Sequence, residues 1–246
     1  MNPFPIIILA GGTATRLRPL TEKIPKALVE VGGQPFISQQ LRLLNFHGIR
    51  NVIISAWYRG EMIRDYVGNG ERFGIKVEYV FDGDHPLGTG GAIRHAIHLL
   101  DGSFFVLYGD SYLPCDYGAI QEFFMVAQNP GLMTVFHNQN HWDSSNVEIA
   151  EDRIVAYDKE KRTLGMEYID YGLGVFQPAV FEDLPDGQPA DLTNIYKQLV
   201  KAHQLLAYPV KQRFYEIGSF EGLRELDELL TTHPNRFLER KSDELL

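Results

Sequence analysis

The amino-acid sequence predicts an α/β domain whose mixed, mostly parallel sheet carries helices on both faces. The first half of the chain alternates strand-like and helix-like segments, which is typical of parallel strands joined by right-handed crossovers. The apolar run Ile6–Leu9 leads through Ala10 into two glycines and is typical of a strand buried on both faces. Of the 246 residues, 44% are hydrophobic and 22% are charged, and these ordinary proportions exclude wholesale disorder. Together these features indicate a Rossmann-like architecture.

Local patterns predict the other elements of the first half. Residues 36–47 have apolar side chains at near-helical spacing, and the glycine after them is a typical helix stop. The same patterns predict strands over 51–57, 75–81 and Phe104–Tyr108, and helices over 59–67 and 89–100.

The second half of the chain is organised differently, with short connections and polar interruptions between its strand candidates. The predicted strands are 132–136, 146–149, Arg153–Tyr157 and Tyr168–Phe176, and the predicted helices are 191–203 and 220–230. We expect a mixed sheet here that widens the sheet of the first half. No repeat, low-complexity block or linker interrupts the sequence, so we predict a single domain over 1–246, with halves of about 1–130 and 131–230.

The composition argues against several classes of protein. Lys and Arg total 23 against 32 for Asp and Glu, and a net charge of -9 argues against a general nucleic-acid or anionic-membrane binder, which usually has a basic surplus. The single cysteine, Cys115, rules out an internal disulfide and a multi-cysteine zinc site and fits a reducing, cytoplasmic compartment. No apolar stretch approaches the roughly 18 residues of a membrane span, and the first strand lacks the basic lead-in of a signal peptide.

The segment after the first strand is the most informative part of the chain. It leaves the carboxyl end of that strand, where open α/β sheets bind ligands. Adjacent glycines, Gly11 and Gly12, let backbone N–H groups approach an anion without obstruction by a Cβ. Four basic residues follow, with one acidic residue among them: Arg16, Arg18, Lys23 and Lys26, with Glu22. The whole pattern predicts a polyphosphate site, although the glycines alone are more simply explained by a plain turn with a solvated basic face.

Residues 9–26, LAGGTATRLRPLTEKIPK, resemble the opening signature of the sugar-1-phosphate nucleotidyltransferases, the pyrophosphorylases that make nucleotide sugars. That signature reads L-A-G-G-x-G-T-R-L-x-P-L-T, followed by P-K, and the wider resemblance covers nearly the whole chain. Ala14 stands where the family usually has glycine, so a positive φ at this position would strain the alanine. The resemblance implies the nucleotidyltransferase fold in its short, single-domain form.

The resemblance also implies an activity in enzyme class 2.7.7. Such an enzyme transfers a nucleotidyl group from an NTP to a sugar 1-phosphate and releases pyrophosphate, with Mg²⁺ as cofactor, to supply precursors of cell-surface polysaccharides. The first half would bind the nucleotide and the second half the sugar. The partners would then be an NTP and a sugar 1-phosphate, with no nucleic acid and no membrane. A homo-oligomer is compatible with the sequence, which fixes neither the oligomeric state nor the base or sugar.

The chemistry of this reaction requires cations, because the two substrates together bring about six negative charges to one place. Two unit charges 4 Å apart repel by about 4 kcal/mol at an effective dielectric of 20. The resemblance implies that Arg16 and Lys26 are catalytic and bind the phosphates, as a planar fork and a point charge respectively. It assigns catalytic and metal-binding roles to Asp110 in YGDSYL, and a metal-binding role to Glu216, where the family has Asp in W-x-D-x-G.

The nucleotide-binding residues that the resemblance implies lie in the glycine loop and in the stretch PLGTGGA, which matches the element beside the nucleobase. They are Leu9, Gly11, Gly12, Thr13, Ala14, Thr15, Arg16, Gly88 and Thr89. Thr89 is also a candidate cap for the helix that follows it. The carboxylates of Asp82 and Asp84, just before this stretch, face either the base or water.

The sugar-phosphate-binding residues that the resemblance implies are Asn146, Lys159, Asp170 and Gly172. Lys159 follows an aspartate where the family has an E-K pair, and Asp170 stands where the family has Asn in N-x-G. Aspartate accepts hydrogen bonds without donating, so the recognition of sugar hydroxyls would differ from that of the best-known members. An exposed polar surface role is nearly as good an explanation for each of these residues.

Two other functions compete with this enzyme. The first is a non-catalytic nucleotide-sugar sensor or regulatory subunit on the same fold, because Ala14 and Glu216 are changes expected of a decaying site. The retention of Arg16, Lys26 and Asp110 weighs against it. The second is a nicotinamide-dependent oxidoreductase, which is disfavoured because the third glycine of G-x-G-x-x-G is missing.

Overall fold

The computed structural model describes residues 2–138, 141–142 and 144–239. The strands are β1 (Ile6–Leu9), β2 (Glu30–Val31), β3 (Gln34–Pro35), β4 (Asn51–Ala56), β5 (Lys76–Phe81), β6 (Phe104–Tyr108), β7 (Ser111–Tyr112), β8 (Gly131–His137), β9 (Val147–Ala150), β10 (Arg153–Tyr157), β11 (Tyr168–Phe176), β12 (Leu205–Val210) and β13 (Tyr215–Glu216). The helices are α1 (Phe36–Phe46), α2 (Gly60–Val67), α3 (Gly88–Ala96), α4 (Tyr117–Ala127), α5 (Ala179–Glu182), α6 (Leu192–Lys201) and α7 (Phe220–Thr232).

A large mixed sheet runs through both halves of the chain. Over the described residues it has nine strands in the order β5-β4-β1-β6-β11-β8-β12-β10-β9. The strands β5, β4, β1 and β6 are parallel, β11 is antiparallel to both β6 and β8, and β12 is parallel to β8. The carboxyl ends of the four parallel strands therefore meet at one edge, with Leu9 of β1 beside Ser55 and Tyr108.

Helices cover both faces of the sheet, as predicted. On one face, the buried side chains of Ile6 and Ile8 share an apolar core with residues of α1, α2 and α4. On the other, Ile7 shares a core with residues of α3, α5 and α6. The alternation along β1 explains its continuous apolar sequence, because both faces of this strand are buried.

A third apolar cluster fixes the position of the last helix. Leu226 and Leu230 of α7 pack with Val31 of β2 and with Tyr215 of β13. The strand β13 pairs with β7, which follows the end of β6. The C-terminal part of the chain is thereby brought to the carboxyl edge of the parallel strands.

The structure also contains elements that the sequence patterns did not predict. The helix α4 begins after Asp116, whose carboxylate accepts a hydrogen bond from Ala119 N at 3.0 Å. The strand β12 contains Pro209, which argues against an interior strand. It is tolerated because β12 pairs along its length with β8 but with β10 at Leu206 alone. The predicted helix 89–100 instead spans Gly88–Ala96, followed by a 3-10 turn at Ile97–Leu99.

In the part of the chain that the structure describes, every helix is too short or too polar to cross a membrane.

Candidate active site

A cavity of about 410 Å³ lies at the carboxyl edge of the parallel strands. Its walls come from the glycine loop after β1, the ends of β4, β5 and β6, and the start of α3. The lining residues are Leu9, Ala10, Gly11, Gly12, Thr13, Lys26, Ala27, Ser55, Trp57, Asp82, Pro86, Gly88, Thr89, Ala92, Tyr108, Gly109 and Asp110. This is the position at which open α/β sheets bind ligands.

Gly109 allows the ends of β1 and β6 to approach each other. Its N–H donates to the Leu9 carbonyl at 3.0 Å, and a Cβ on Gly109 would overlap that same oxygen. Asp110 is therefore held directly beside the start of the glycine loop. A Cβ on Gly12, by contrast, would meet no atom within 4 Å, so the loop is open at this position.

Ala14 adopts the left-handed backbone conformation, with φ 49° and ψ 44°. Because φ is positive at this position, the alanine backbone is strained, at a cost of about 1–2 kcal/mol. Its carbonyl accepts hydrogen bonds from the Thr21 hydroxyl at 2.8 Å and from Leu17 N at 3.1 Å. These contacts hold the turn that leads to Arg16.

Lys26 and Asp110 form the central ion pair of the cavity. The Lys26 Nζ lies 2.8 Å from Asp110 Oδ2, and the two side chains are 17% and 30% exposed. A pair this shielded is screened less by salt than one on the open surface. The two residues are 84 positions apart in the chain and both line the cavity.

Arg16 and Glu216 meet Asp110 at Gly218. A Cβ on Gly218 would lie 2.6 Å from Glu216 Oε2, 3.1 Å from Arg16 Nη2 and 3.2 Å from Asp110 Oδ2. The Ile217 N–H also donates to the Asp110 carbonyl at 2.9 Å. Two carboxylates and a guanidinium therefore surround one point at the edge of the cavity.

The Glu216 carboxylate is fixed by the start of α7. Its Oε1 accepts from the Ser219 hydroxyl at 2.6 Å, and its Oε2 accepts from Gly218 N. Ser219 in turn caps α7 by accepting from Gly222 N at 3.0 Å. The two carboxylates supply oxygen donors of the kind that Mg²⁺ prefers. Among the described residues no third acidic, histidine or cysteine side chain completes a metal cluster.

The start of α3 packs against the segment before α6, which explains the glycines of PLGTGGA. The N–H groups of Gly90 and Gly91 donate to the Ala190 carbonyl at 2.8 and 3.2 Å, and a Cβ on Gly91 would overlap the Gln188 carbonyl oxygen. The sequence suggested that the Thr89 hydroxyl caps its own helix, and this prediction is wrong. The hydroxyl accepts from Leu192 N at 2.8 Å, at the start of α6, whose own cap is Asp191.

Asp82 lies at the end of β5 in the wall of the same cavity, whereas Asp84 is exposed. The Asp82 Oδ2 accepts a hydrogen bond from Leu87 N at 2.8 Å. Desolvation raises the pKa of Asp82 above its ordinary value, and the Leu87 N–H offsets this in part.

A second cavity, of about 280 Å³, adjoins the first at Tyr108, which lines both. It contains all four predicted sugar-phosphate residues together with Glu216. The lining residues are Tyr108, Ser111, Ser144, Asn146, Lys159, Arg162, Ile169, Asp170, Tyr171, Gly172, Phe214 and Glu216.

Asp170 is the organising residue of the second cavity. Its N–H donates to Asn146 Oδ1 at 3.0 Å, and its carboxylate accepts from Gly172 N at 3.0 Å and from the Tyr157 hydroxyl at 3.3 Å. Desolvation raises the pKa of Asp170, and the positive charge of Lys159 opposes this rise. The Lys159 Nζ lies 5.5 Å from the centre of the Tyr108 ring.

The structure brings most of the predicted site residues together. Leu9, Gly11, Gly12, Thr13, Gly88 and Thr89 line the first cavity with Lys26 and Asp110, while Ala14, Thr15 and Arg16 are not part of its lining. The sequence patterns did not identify Ser55, Trp57 and Tyr108 as cavity residues. All three lie at or just after the ends of parallel strands, and that position is the signal that identifies them.

Comparison with known sequences identifies the family. The sequence profile described as Nucleotidyl transferase matches residues 6–233. A mannose-1-phosphate guanylyltransferase of Mycobacterium tuberculosis is 30% identical over 74% of this chain, and the chain spans about half the length of that relative, 51%. A D-glycero-alpha-D-manno-heptose 1-phosphate guanylyltransferase of Campylobacter jejuni is 29% identical over 86% of this chain and 93% of its own. An N-acetylmuramate alpha-1-phosphate uridylyltransferase of Neisseria meningitidis is 26% identical over 91% of this chain and 96% of its own length.

Solved structures share the fold. HddC from Yersinia pseudotuberculosis, complexed with GMP-PN, superposes with a TM-score of 0.76 at 24% identity, covering 92% of this chain and 98% of that one. A putative glucose-1-phosphate thymidylyltransferase from Bacillus anthracis gives a TM-score of 0.81 at 21% identity, covering 92% and 95%. Because the family profile spans nearly the whole sequence, this chain belongs to the nucleotidyl transferase family.

Proposed function

We propose that this protein transfers a nucleotidyl group from an NTP to a sugar 1-phosphate, giving an NDP-sugar and pyrophosphate. The observation that carries the proposal is the junction of two adjoining cavities, at which Lys26, Arg16, Asp110 and Glu216 converge. The names of the relatives support the reaction class, since each transfers a nucleotidyl group to a sugar 1-phosphate. Those names include both guanylyl and uridylyl transfer, so they leave the base open.

The first cavity is suited to the triphosphate. The open backbone at Gly12 offers N–H groups to phosphate oxygens, and the ammonium of Lys26 and the guanidinium of Arg16 offset the accumulated negative charge. A phosphate oxygen of the sugar 1-phosphate attacks the α-phosphorus in line, and pyrophosphate leaves with the electrons of the broken bond. The attacking oxygen is already ionised near neutral pH, because the second pKa of a phosphate monoester is about 6. The protein therefore supplies positioning and charge rather than a covalent nucleophile.

The residues that would hold Mg²⁺ are Asp110 and Glu216. When held by these carboxylates, Mg²⁺ would supply positive charge that offsets the charge of the crowded phosphates. Ser219 holds the Glu216 carboxylate by donating its hydroxyl to Oε1, and Lys26 balances the charge of Asp110. Two carboxylates match the number of protein ligands that Mg²⁺ usually takes at phosphate-transfer sites.

The second cavity is suited to the sugar 1-phosphate. Lys159 supplies a positive charge for its phosphate, while Asn146 and Asp170 present polar groups for the sugar hydroxyls. Since Glu216 also lines this cavity, the sugar phosphate would arrive at the same junction that receives the nucleotide.

The test is an assay of pyrophosphate and NDP-sugar formation over a matrix of NTPs and sugar 1-phosphates with Mg²⁺. The proposal predicts that at least one pair of substrates gives both products in equal amounts, and that omission of either substrate abolishes them. NTP hydrolysis without a nucleotide sugar would contradict it.

A non-catalytic nucleotide-sugar sensor is the second candidate, and the strained alanine at Ala14 is the observation that favours it. A sensor would be stabilised against thermal unfolding by an NDP-sugar and would form no pyrophosphate with any pair of substrates. Ligand at one hundred times its Kd adds about 2.7 kcal/mol to the free energy of unfolding, which a thermal-shift measurement detects easily.

A further inference from the structure

The phosphate loop, residues 9–26, is tied to the rest of the molecule at its two ends. Near the start, Ala10 N donates to the Ser55 carbonyl at 2.7 Å. At the other end, Lys26 pairs with Asp110. The loop between these points must keep a fixed shape if its N–H groups are to face a polyphosphate. The contacts in its middle therefore decide whether the loop is already shaped for that ligand.

The middle of the loop, residues 11–24, accepts hydrogen bonds from Tyr58 and Arg59, which follow β4. Arg59 Nη2 donates to the Glu22 carbonyl at 2.8 Å, and the Tyr58 hydroxyl donates to the same oxygen at 3.2 Å. Arg59 Nε also donates to the Tyr58 hydroxyl at 3.0 Å, which joins the two side chains. Among the described residues, the hydrogen bonds that reach residues 11–24 from the rest of the chain come from these two side chains alone.

The hydrogen bonds continue from Glu22 to the strained turn at Ala14. Thr21, the residue before Glu22, is buried, and its hydroxyl donates to the Ala14 carbonyl at 2.8 Å. The direction of this carbonyl follows ψ of Ala14, so the hydrogen bond holds the left-handed conformation that an alanine disfavours. Arg59 is itself left-handed, with φ 54°. Such backbone persists only where the surrounding contacts enforce it, and it is common at ligand sites.

The turn at Ala14 sets the relation between two parts of the loop. Thr13, just before the turn, lines the first cavity. Arg16, just after it, places Nη2 3.1 Å from where a Cβ on Gly218 would lie. A change of ψ at Ala14 would rotate Arg16 relative to Thr13, and would separate the guanidinium from the backbone that faces the phosphates.

We infer that Tyr58 and Arg59 are positioning residues that hold the phosphate loop in the shape that binds the triphosphate of the NTP. The inference rests on the proposed function, in which the first cavity binds that nucleotide. Neither side chain is part of the cavity lining, so both act through the loop and not on the substrate. A loop already held in its bound shape loses less conformational entropy on binding, which raises the affinity.

The experiment measures KM for the NTP and for the sugar 1-phosphate in the wild type and in the double variant Tyr58→Phe/Arg59→Met. The variant keeps the ring and the aliphatic stem and removes the hydrogen bonds to the loop. We expect KM for the NTP to rise about tenfold, roughly the worth of one or two net hydrogen bonds, and KM for the sugar 1-phosphate to stay unchanged. The control is Arg50→Met, which removes an exposed arginine that donates to the Asn45 carbonyl at 2.7 Å and lines neither cavity. It should keep both KM values.

A second comparison tests whether the two side chains act through Ala14. Glycine adopts a positive φ at no steric cost, so the loop of an Ala14→Gly variant needs less enforcement. The double substitution should therefore raise KM for the NTP less in the Ala14→Gly background than in the wild type. Equal rises in the two backgrounds, no rise in either, or an equal rise in KM for the sugar 1-phosphate overturns the inference.

If no NTP is turned over, the proposed function fails on its own, and the inference is read from binding. Calorimetry then measures the affinity of the same proteins for inorganic pyrophosphate with Mg²⁺. An affinity about tenfold lower in the double variant, and unchanged in Arg50→Met, supports the inference. Equal affinities, or no binding to the wild type, overturn it. Thermal unfolding verifies that each variant is folded, and Arg59→Met alone replaces a double variant that is not.

Discussion

At the residue scale, Asp110 combines two roles in one carboxylate. It balances the charge of Lys26 at 2.8 Å and faces Glu216 across the position of Gly218. The substitution Asp110→Asn keeps the shape of the side chain and removes its charge. Because the loss of one electrostatic group in an active site lowers turnover by about 10²–10³, pyrophosphate release should fall at least a hundredfold. The midpoint of thermal unfolding should change little, since the side chain is partly exposed.

The control for this prediction is Asp101→Asn, which changes an exposed aspartate outside both cavities. It should leave pyrophosphate release at the wild-type rate. Normal turnover in the Asp110→Asn variant would remove Asp110 from the mechanism.

The desolvation of Asp170 predicts how the stability of the protein depends on pH. Desolvation raises its pKa in the folded state above the ordinary value of about 3.9. Below that ordinary value both the folded and unfolded states bind the proton, so the neutral carboxyl contributes its full stability. This contribution is lost as the pH rises through the folded-state pKa, because the desolvated group must then carry a charge.

The substitution Asp170→Asn removes that penalty, and its amide can still accept from Gly172 N and reach the Tyr157 hydroxyl. We therefore expect the variant to unfold at a higher temperature than the wild type at pH 7, with the difference closing as the pH approaches 4. Thermal unfolding followed by circular dichroism across this range is the measurement. A variant less stable than the wild type at pH 7, or a difference independent of pH, would count against the argument.

Single residues also mark the limit of what the sequence predicts. The phosphate loop was recognisable because its glycines and basic residues are contiguous over residues 9–26. The left-handed conformation of Ala14 was stated only as a condition, because φ depends on how Thr21 and Leu17 hold the turn. The buried Oδ1 of Asp82, which has no hydrogen-bond partner among the described residues, could not be predicted, because its burial depends on the packing of segments that are far apart in the sequence.

At the element scale, the contact between α3 and the segment before α6 depends on Gly91. A Cβ on this residue would overlap the carbonyl oxygen of Gln188 and force the two elements apart. We expect Gly91→Ala to lower the free energy of unfolding by about 1–3 kcal/mol, the usual cost of overpacking. Urea denaturation measures it as a lower midpoint at an unchanged slope.

The matched control is Gly102→Ala, because a Cβ on Gly102 meets no atom within 4 Å. Its effect on the midpoint should be small. Equal midpoints for the two variants would show that the close packing at Gly91 contributes nothing to stability.

Elements were predictable where the pattern of the sequence was local. The strands β1, β4 and β6 were predictable from their continuous apolar runs, since each strand is buried on both faces. The helix α4 was missed although it has a clear signal, the Asp116 cap followed by Ile120 and Phe124 four residues apart. The strand β12 was missed because Pro209 argues against an interior strand, and only the limited pairing with β10 explains its tolerance.

At the scale of the whole molecule, the sheet joins two functionally different halves. The pairing of β6 with β11 places the second cavity beside the first, and Tyr108 at the end of β6 lines both. The packing of α7 against β2 and β13 then brings Glu216 to Asp110, 106 positions earlier in the chain. The sequence motifs identified Asp110 and Glu216 individually. Their convergence depends on long-range strand pairing that no local pattern contains.

The substitution Lys159→Met tests most directly the proposal that the two cavities serve one reaction. Lys159 lines only the second cavity and is exposed. Its loss should therefore leave both the fold and the binding of the nucleotide unchanged. Initial rates of pyrophosphate release over a range of both substrates give the two KM values separately. We predict that KM for the sugar 1-phosphate rises at least tenfold while KM for the NTP stays at the wild-type value. An unchanged KM for the sugar 1-phosphate would contradict the account.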